Sequence, residues 1–157
     1  MINALGLFTA FHTAISILAI LAGVFAIRAL LGASVTRAWT SWFLYLAVAT
    51  SVTGFFFPFH GMTPAIAVGI IALLVLAAVF IADRSSPRSR VGRWVYAGGI
   101  VISEYFLVFV LVAQGFAKIP LLHAAAPTQQ EPPFAIAQLA VLALFIVLGI
   151  LALRRSR

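Results

Sequence analysis

The sequence predicts an all-α integral membrane bundle of five transmembrane helices, N-terminus outside and C-terminus cytoplasmic. Three observations predict it. Of the 157 residues, 64% are hydrophobic and 8% charged, which is more apolar surface than a soluble domain of this length can hide. The apolar residues fall into five runs, 4–31, 39–58, 62–82, 93–117 and 133–153. Each has about 20 residues or more, enough at about 1.5 Å per residue to cross about 30 Å of hydrocarbon. Finally, nine of the ten Lys and Arg residues lie on one side of these runs. Arg28 and Arg37 follow the first run, Arg84, Arg88, Arg90 and Arg93 the third, and Arg154, Arg155 and Arg157 the fifth; only Lys118 lies opposite. Short basic loops are retained on the cytoplasmic face, so this asymmetry sets the orientation.

The first run is too long, and too free of charge in front, for a cleaved signal peptide, so it reads as a retained helix. Arg28 at its end can snorkel to the interface. Ala19 and Gly23 have the small-xxx-small spacing of close helix packing. The second run carries Trp39, Trp42 and Tyr45 at its inner edge and Phe55, Phe56, Phe57 and Phe59 at its outer edge, as interfacial aromatic belts do. Pro58 ends it and Pro64 sits in the first turn of the third run, which makes a tight hairpin. The third run repeats the small spacing at Ala65 and Gly69 and leads into the Arg-rich loop 83–93. The fourth has Trp94 and Tyr96 at its inner edge. The loop 118–133, stiffened by Pro120, Pro127, Pro132 and Pro133, is expected to be ordered against the helix ends before the fifth run. No internal repeat suggests an inverted-repeat transporter. The chain is one domain, 1–157.

The net charge of +7 is accounted for by arginines at helix ends, where they anchor topology and meet lipid head groups, so nucleic acid is not an expected partner. The chain has no cysteine, which excludes disulfide exchange, thiolate metal sites and iron–sulfur ligation. No phosphate loop, nucleophile elbow or metalloprotease motif is present, so the sequence does not argue for an enzyme.

Three groups of residues carry the candidate chemistry. Glu104 falls at the middle of the fourth run. A carboxylate at the bilayer centre costs about 3 kcal/mol or more, so it should face protein or water and keep its proton. It reads either as a proton relay or ligand contact, or as a neutral acid hydrogen-bonded to a neighbouring helix. The second group is a polar band in the outer half. His12 and Ser16 lie at i, i+4 with Thr9 and Thr13 nearby, followed by Thr50, Ser51, Thr53, Gln114 and Gln138. This band is either interhelical hydrogen bonding or a pocket for a small polar or quinone-like head group. The third group lies outside: His60, His123 and Glu131 are residue types that hold zinc, copper or iron, but at no shared helical spacing. A b-type haem would have to pair His12 with His60 or His123.

The stretch Thr50-Ser51-Val52-Thr53-Gly54-Phe55-Phe56-Phe57-Pro58-Phe59-His60, with Ala126-Pro127-Thr128-Gln129-Gln130-Glu131-Pro132-Pro133-Phe134 and Gln138, resembles a group of small bacterial multi-pass inner-membrane proteins with no assigned function. That resemblance implies a bacterial source and the cytoplasmic membrane, and brings no catalytic residues. His12 followed by a small-residue first helix is similar, more distantly, to cytochrome b561-like membrane proteins; the helix-borne histidine pairs of that haem family are missing.

The sequence therefore leads to an inner-membrane protein that binds a small amphipathic ligand, or a membrane partner or second copy of itself, through its periplasmic half. The expected ligand-binding residues are His12, Thr53, Glu104, Gln114 and Gln138, with His60, His123 and Glu131 as candidate metal ligands. The alternatives are a redox protein holding haem b or a divalent metal through histidines, and a proton-linked transporter using Glu104.

Overall fold

The computed structural model describes residues 3–58, 64–85 and 89–156. They form six helices and no strand: α1 (Ala4–Leu30), α2 (Arg37–Gly54), α3 (Pro64–Ser85), α4 (Arg90–Lys118), α5 (Pro120–Ala125) and α6 (Pro132–Arg155). Four of them, α1, α3 from Ile66, α4 and α6, are long and apolar enough to cross a membrane, which marks a multi-pass membrane protein. The second of the five expected runs falls short of that measure. The helix formed there, α2, is 18 residues long and includes Arg37, Thr40, Ser41, Thr50, Ser51 and Thr53. It nevertheless buries Phe43, Leu44 and Ala47 in the common core.

The helix ends differ from the expected runs for local reasons. Pro58 does not close α2 directly, because α2 stops at Gly54. A proline ring clashes with the carbonyl four residues before it, so the helix must yield at that carbonyl. Beyond α3, α4 starts three residues earlier than the apolar run because Ser89 caps it, its Oγ accepting from the Gly92 N–H at 2.9 Å. Such a cap satisfies one of the donors left open at a helix start. The loop 118–133 contains a helix the sequence reading did not include, α5, started by Pro120. It is tied down by a fully buried Ala126 and by Gln129, whose Nε2 donates to the Ala113 carbonyl at 2.8 Å.

The bundle is organised around α4, which packs against all five other helices. Its neighbours come close because glycines stand at the contacts. A Cβ at Gly99 of α4 would overlap Cγ2 of Val79 on α3, and a Cβ at Gly23 of α1 would overlap the carboxyl group of Glu104. Ala19, Ala22, Gly23, Ala26 and Ile27 form the buried stripe of α1, small residues but for the last. This is how apolar helices associate without a hydrophobic drive between them, through close packing of small residues. Val79, Leu76, Phe43 and Ile100 fill the centre.

The arginine-bearing ends meet at one end of the bundle. Arg37 of α2 pairs with Asp83 of α3 at 2.9 Å. The Arg93 Nε of α4 donates to the Ser156 carbonyl after α6 at 2.9 Å. Gly32, after α1, has φ +82 and leaves room for the Arg155 guanidinium; this left-handed conformation suits a residue without a Cβ. At the opposite end Phe8 meets Phe57 and Phe116 meets Phe134.

Gly99→Ala should destabilise the bundle by about 1–3 kcal/mol through overpacking against Val79. Gly98→Ala, whose new methyl would only touch Leu153, should change little. Thermal unfolding of the two variants in detergent checks this, and equal midpoints would refute the α3–α4 contact.

Candidate functional site

Glu104 is the most unusual side chain in the bundle. It lies 14 residues from either end of α4, about 21 Å along the axis at about 1.5 Å per residue. It is 1% exposed. Both its carboxyl oxygens are buried and have no hydrogen-bond partner among the described residues. The hydroxyls of its neighbour Ser103 and of Thr50 on α2 are buried in the same unpartnered way. Of the two roles the sequence leaves open, the purely structural one requires a hydroxyl or carbonyl from a neighbouring helix, and none is in place. What faces the carboxyl is Gly23 of α1, which makes room for it and offers no side-chain polar group.

His12 and Thr53 come together across α1 and α2, 41 residues apart in sequence. The His12 Nδ1 and the Thr53 Oγ1 are 2.8 Å apart. The Thr53 hydroxyl also lies 2.7 Å from the Ala49 carbonyl and 3.2 Å from the Thr50 carbonyl; when its hydrogen goes to either carbonyl, Thr53 accepts from His12 and Nδ1 carries the hydrogen. In that tautomer the other ring nitrogen, Nε2, is an acceptor or a ligand. Phe57 packs edge-on to the imidazole. Ser16 does not join the pair; its hydroxyl bonds to the His12 carbonyl at 2.7 Å, the local alternative open to any helical serine.

The remaining outer residues are dispersed. Gln138 of α6 donates from Nε2 to the Phe109 carbonyl of α4 at 3.1 Å, a helix-to-helix tie, while its Oε1 is buried without a partner. Gln114 is exposed on α4, and His123 is exposed on α5. Glu131 precedes α6 and turns back on its own loop: Oε1 accepts from the Thr128 hydroxyl at 2.8 Å and Oε2 from the Gln130 N–H at 3.1 Å. The slight desolvation of this carboxyl acts in the opposite sense and is outweighed by the hydrogen bonds from Thr128 and the backbone, which hold it below the usual glutamate range. His60 lies outside the described residues. Among the described residues no three His, Asp or Glu side chains gather as a metal site.

Two features of the bundle were not assigned by sequence reasoning. The spacing of Gly23 with Ala19 signals packing alone and gives no hint that Gly23 stands against Glu104. Asp83 was only the first residue of a basic loop, although it is one of just three acids in the chain and the one acid among the clustered arginines. That isolation was the available signal.

Comparison with family models, with curated proteins and with solved structures finds no match for this chain. Its likeness to small bacterial membrane proteins therefore rests on the quoted residues alone.

The Glu131 hydrogen bonds predict a pH response in the outer loop. A carboxyl held below its unfolded value contributes order above about pH 4.3, the ordinary glutamate value, and loses that contribution as pH falls through the folded value. Amide exchange at Thr128 and Gln130 should speed up as pH is lowered through that window, beyond the intrinsic pH effect. In Glu131→Gln it should already be fast and show no such transition. Identical pH profiles in the two proteins would refute the role given to the carboxylate.

Proposed function

We propose that this chain is a bacterial inner-membrane protein of five crossings, N-terminus outside and C-terminus in the cytoplasm, and that it works as a proton-linked membrane protein through Glu104. The gathering of arginines at one end of the bundle supports the orientation. The antiparallel seating of α2 against α1, with Phe43, Leu44 and Ala47 in the core, supports a fifth crossing despite its polar content.

The observation that carries the function is the sealed, unpartnered carboxyl at the middle of α4. A charged carboxylate there would cost several kcal/mol with nothing to offset it. In the closed bundle Glu104 therefore holds its proton. Losing that proton requires water or a cation at the carboxyl, and one neighbour whose withdrawal admits it is α1 at Gly23. Proton release is thereby tied to opening of the α1–α4 contact, which is the coupling a proton-linked device needs. An intramembrane acid facing the bundle interior is the usual mark of such a device.

A second reading, binding of a small amphipathic ligand or a membrane partner in the periplasmic half, is favoured by one observation. The His12–Thr53 hydrogen bond engages Nδ1 and leaves Nε2 of the imidazole to meet a ligand. Gln114 and Gln138 stand on other helices and do not share a described contact with it, so this reading centres on His12 and Thr53.

Proton flux into proteoliposomes under a potassium diffusion potential, read with a pH-sensitive dye, should fall at least about tenfold in Glu104→Gln, as expected for loss of an essential proton carrier. The wild-type infrared spectrum should contain the C=O band of a buried protonated acid, absent in the variant. Full flux in Glu104→Gln, or no flux in the wild type, would overturn the relay. Because the chain has no cysteine, topology can be read separately. Asn3→Cys should react with an impermeant maleimide from outside the cytoplasmic membrane and Ser156→Cys should not; the reverse pattern would invert the orientation.

A further inference from the structure

Helix α2 is the one long helix whose composition falls short of a membrane crossing, yet part of its polarity is turned inward. Its buried residues, Thr40, Phe43, Leu44, Ala47 and Thr50, recur at steps of three, one, three and three and form one stripe. Thr53 continues that stripe to His12. A threonine in a helix ordinarily satisfies its hydroxyl on its own backbone, as Thr9 does on the Leu5 carbonyl at 2.8 Å. The Thr50 hydroxyl instead is buried and has no partner among the described residues. A native core rarely keeps a hydroxyl in that state unless it has work beyond packing.

The His12–Thr53 contact gives the register of α1 against α2. Gly23, which faces Glu104, lies about three turns beyond His12 on α1, about 16 Å along the axis. Counted the same distance back from Thr53 along α2, Phe43 comes level with it. Thr50 is then about 10 Å from that level on the His12 side, and Thr40 about 4.5 Å from it on the arginine side. Arg37, about one turn beyond Thr40, stands at a hollow of about 410 Å3 lined also by Ala82, Asp83 and Tyr96. A smaller hollow, about 210 Å3, adjoins it at Asp83. The buried stripe of α2 thus runs from a polar pair at one end to an open polar hollow at the other, past the level of the acid.

We infer that α2 is the proton path of the bundle: Thr50 passes protons between Glu104 and the His12 end, and Thr40 passes them between Glu104 and the hollow at Arg37. The inference rests on Glu104 being the proton relay. A hydroxyl accepts a proton on a lone pair and gives up the hydrogen it held, so each transfer moves one proton and leaves the threonine as it was, while Glu104 alternates between acid and carboxylate. The spans exceed one hydrogen bond of about 3 Å, so water completes the chain, entering along the stripe when α1 draws back. On the α1 side of the longer span, His12, Ser16, Ala19 and Gly23 follow one another at steps of four, three and four, which keeps them on one face. Ala19 is level with Ala47, and two alanines need little parting to admit a file of water. Phe43 and Leu44, 0% and 5% exposed, stand between Thr40 and Thr50, so no continuous polar path crosses the closed bundle.

Proton flux of the full-length protein in proteoliposomes tests this. Thr50→Val and Thr40→Val remove a hydroxyl at nearly constant volume, and each should lower flux about tenfold, less than the loss of an essential proton carrier because water bridges part of the gap. Thr50→Ser and Thr40→Ser keep the hydroxyl and should stay within about twofold of wild type, as should Ser41→Ala, an exposed hydroxyl of the same helix outside the stripe. Full flux in both valine variants, with flux still lost in Glu104→Gln, would overturn the α2 path and leave the relay standing. Full flux in Glu104→Gln, or none in the wild type, would overturn the relay and the path with it. Equal losses in the valine and serine variants, or an equal loss in Ser41→Ala, would overturn the path in favour of packing. If a valine variant does not fold, cysteine labelling decides. Thr50→Cys should react with a small thiosulfonate from the side that labels Asn3→Cys, and Thr40→Cys from the side that labels Ser156→Cys. Reaction of both from one side, or of neither, would overturn the two-ended path.

Discussion

The contact between Gly23 of α1 and Glu104 of α4 sets the terms for the rest of the bundle. A carboxyl group can occupy the centre of a membrane helix only where protein covers it, and here the cover is a helix face stripped to alanines and glycine. The same face lets α1 approach α4 closely enough to bury Ile100 and Val101 beside Ala22 and Ala26. α4 in turn carries Gly99 against Val79, so that α3 closes from the other side. Small residues at these contacts give α4 its central position, and that position isolates Glu104 from water. Packing and latent chemistry thus depend on one another: opening the seam to hydrate the acid means giving up the van der Waals contacts that hold α1 and α4 together.

The two ends of the bundle are built on different physics. At the arginine end, the ties are charged or charge-assisted and reach between helices far apart in sequence: Arg37 to Asp83 and Arg93 to Ser156. Cation–π contacts add to them, with the Arg90 guanidinium 4.6 Å from the Trp94 ring centroid. At the other end the ties are neutral hydrogen bonds and aromatic edges, among them His12 to Thr53, Gln129 to Ala113 and Phe116 to Phe134. An arginine that anchors topology can also line a cavity, since both tasks ask for a charge held at the head-group level.

Much of the architecture was legible in the chain itself. Apolar run length gave the helical class and the approximate helix limits, because hydrocarbon thickness acts on each segment separately. The outer polar residues were also legible as individuals. Their grouping was not. His12 and Thr53 meet because the turn between α1 and α2 sets the register of that hairpin, whereas Gln114, at a comparable depth on α4, points elsewhere. Depth along a helix follows from residue number; the direction a side chain takes around the axis in a packed bundle follows from which neighbour is closest.

The sequence by itself determined an all-helical chain, the concentration of positive charge at one end and the single acid midway along its fourth run. Each is a property of one segment and its solvent. Only the tertiary structure decided that Glu104 is sealed against a glycine with no hydrogen-bond partner, that Asp83 is paired to an arginine 46 residues earlier, and that the hollows open at the basic end. These are properties of contacts between segments, and the spacing of apolar residues along one helix does not specify which face of another it will meet.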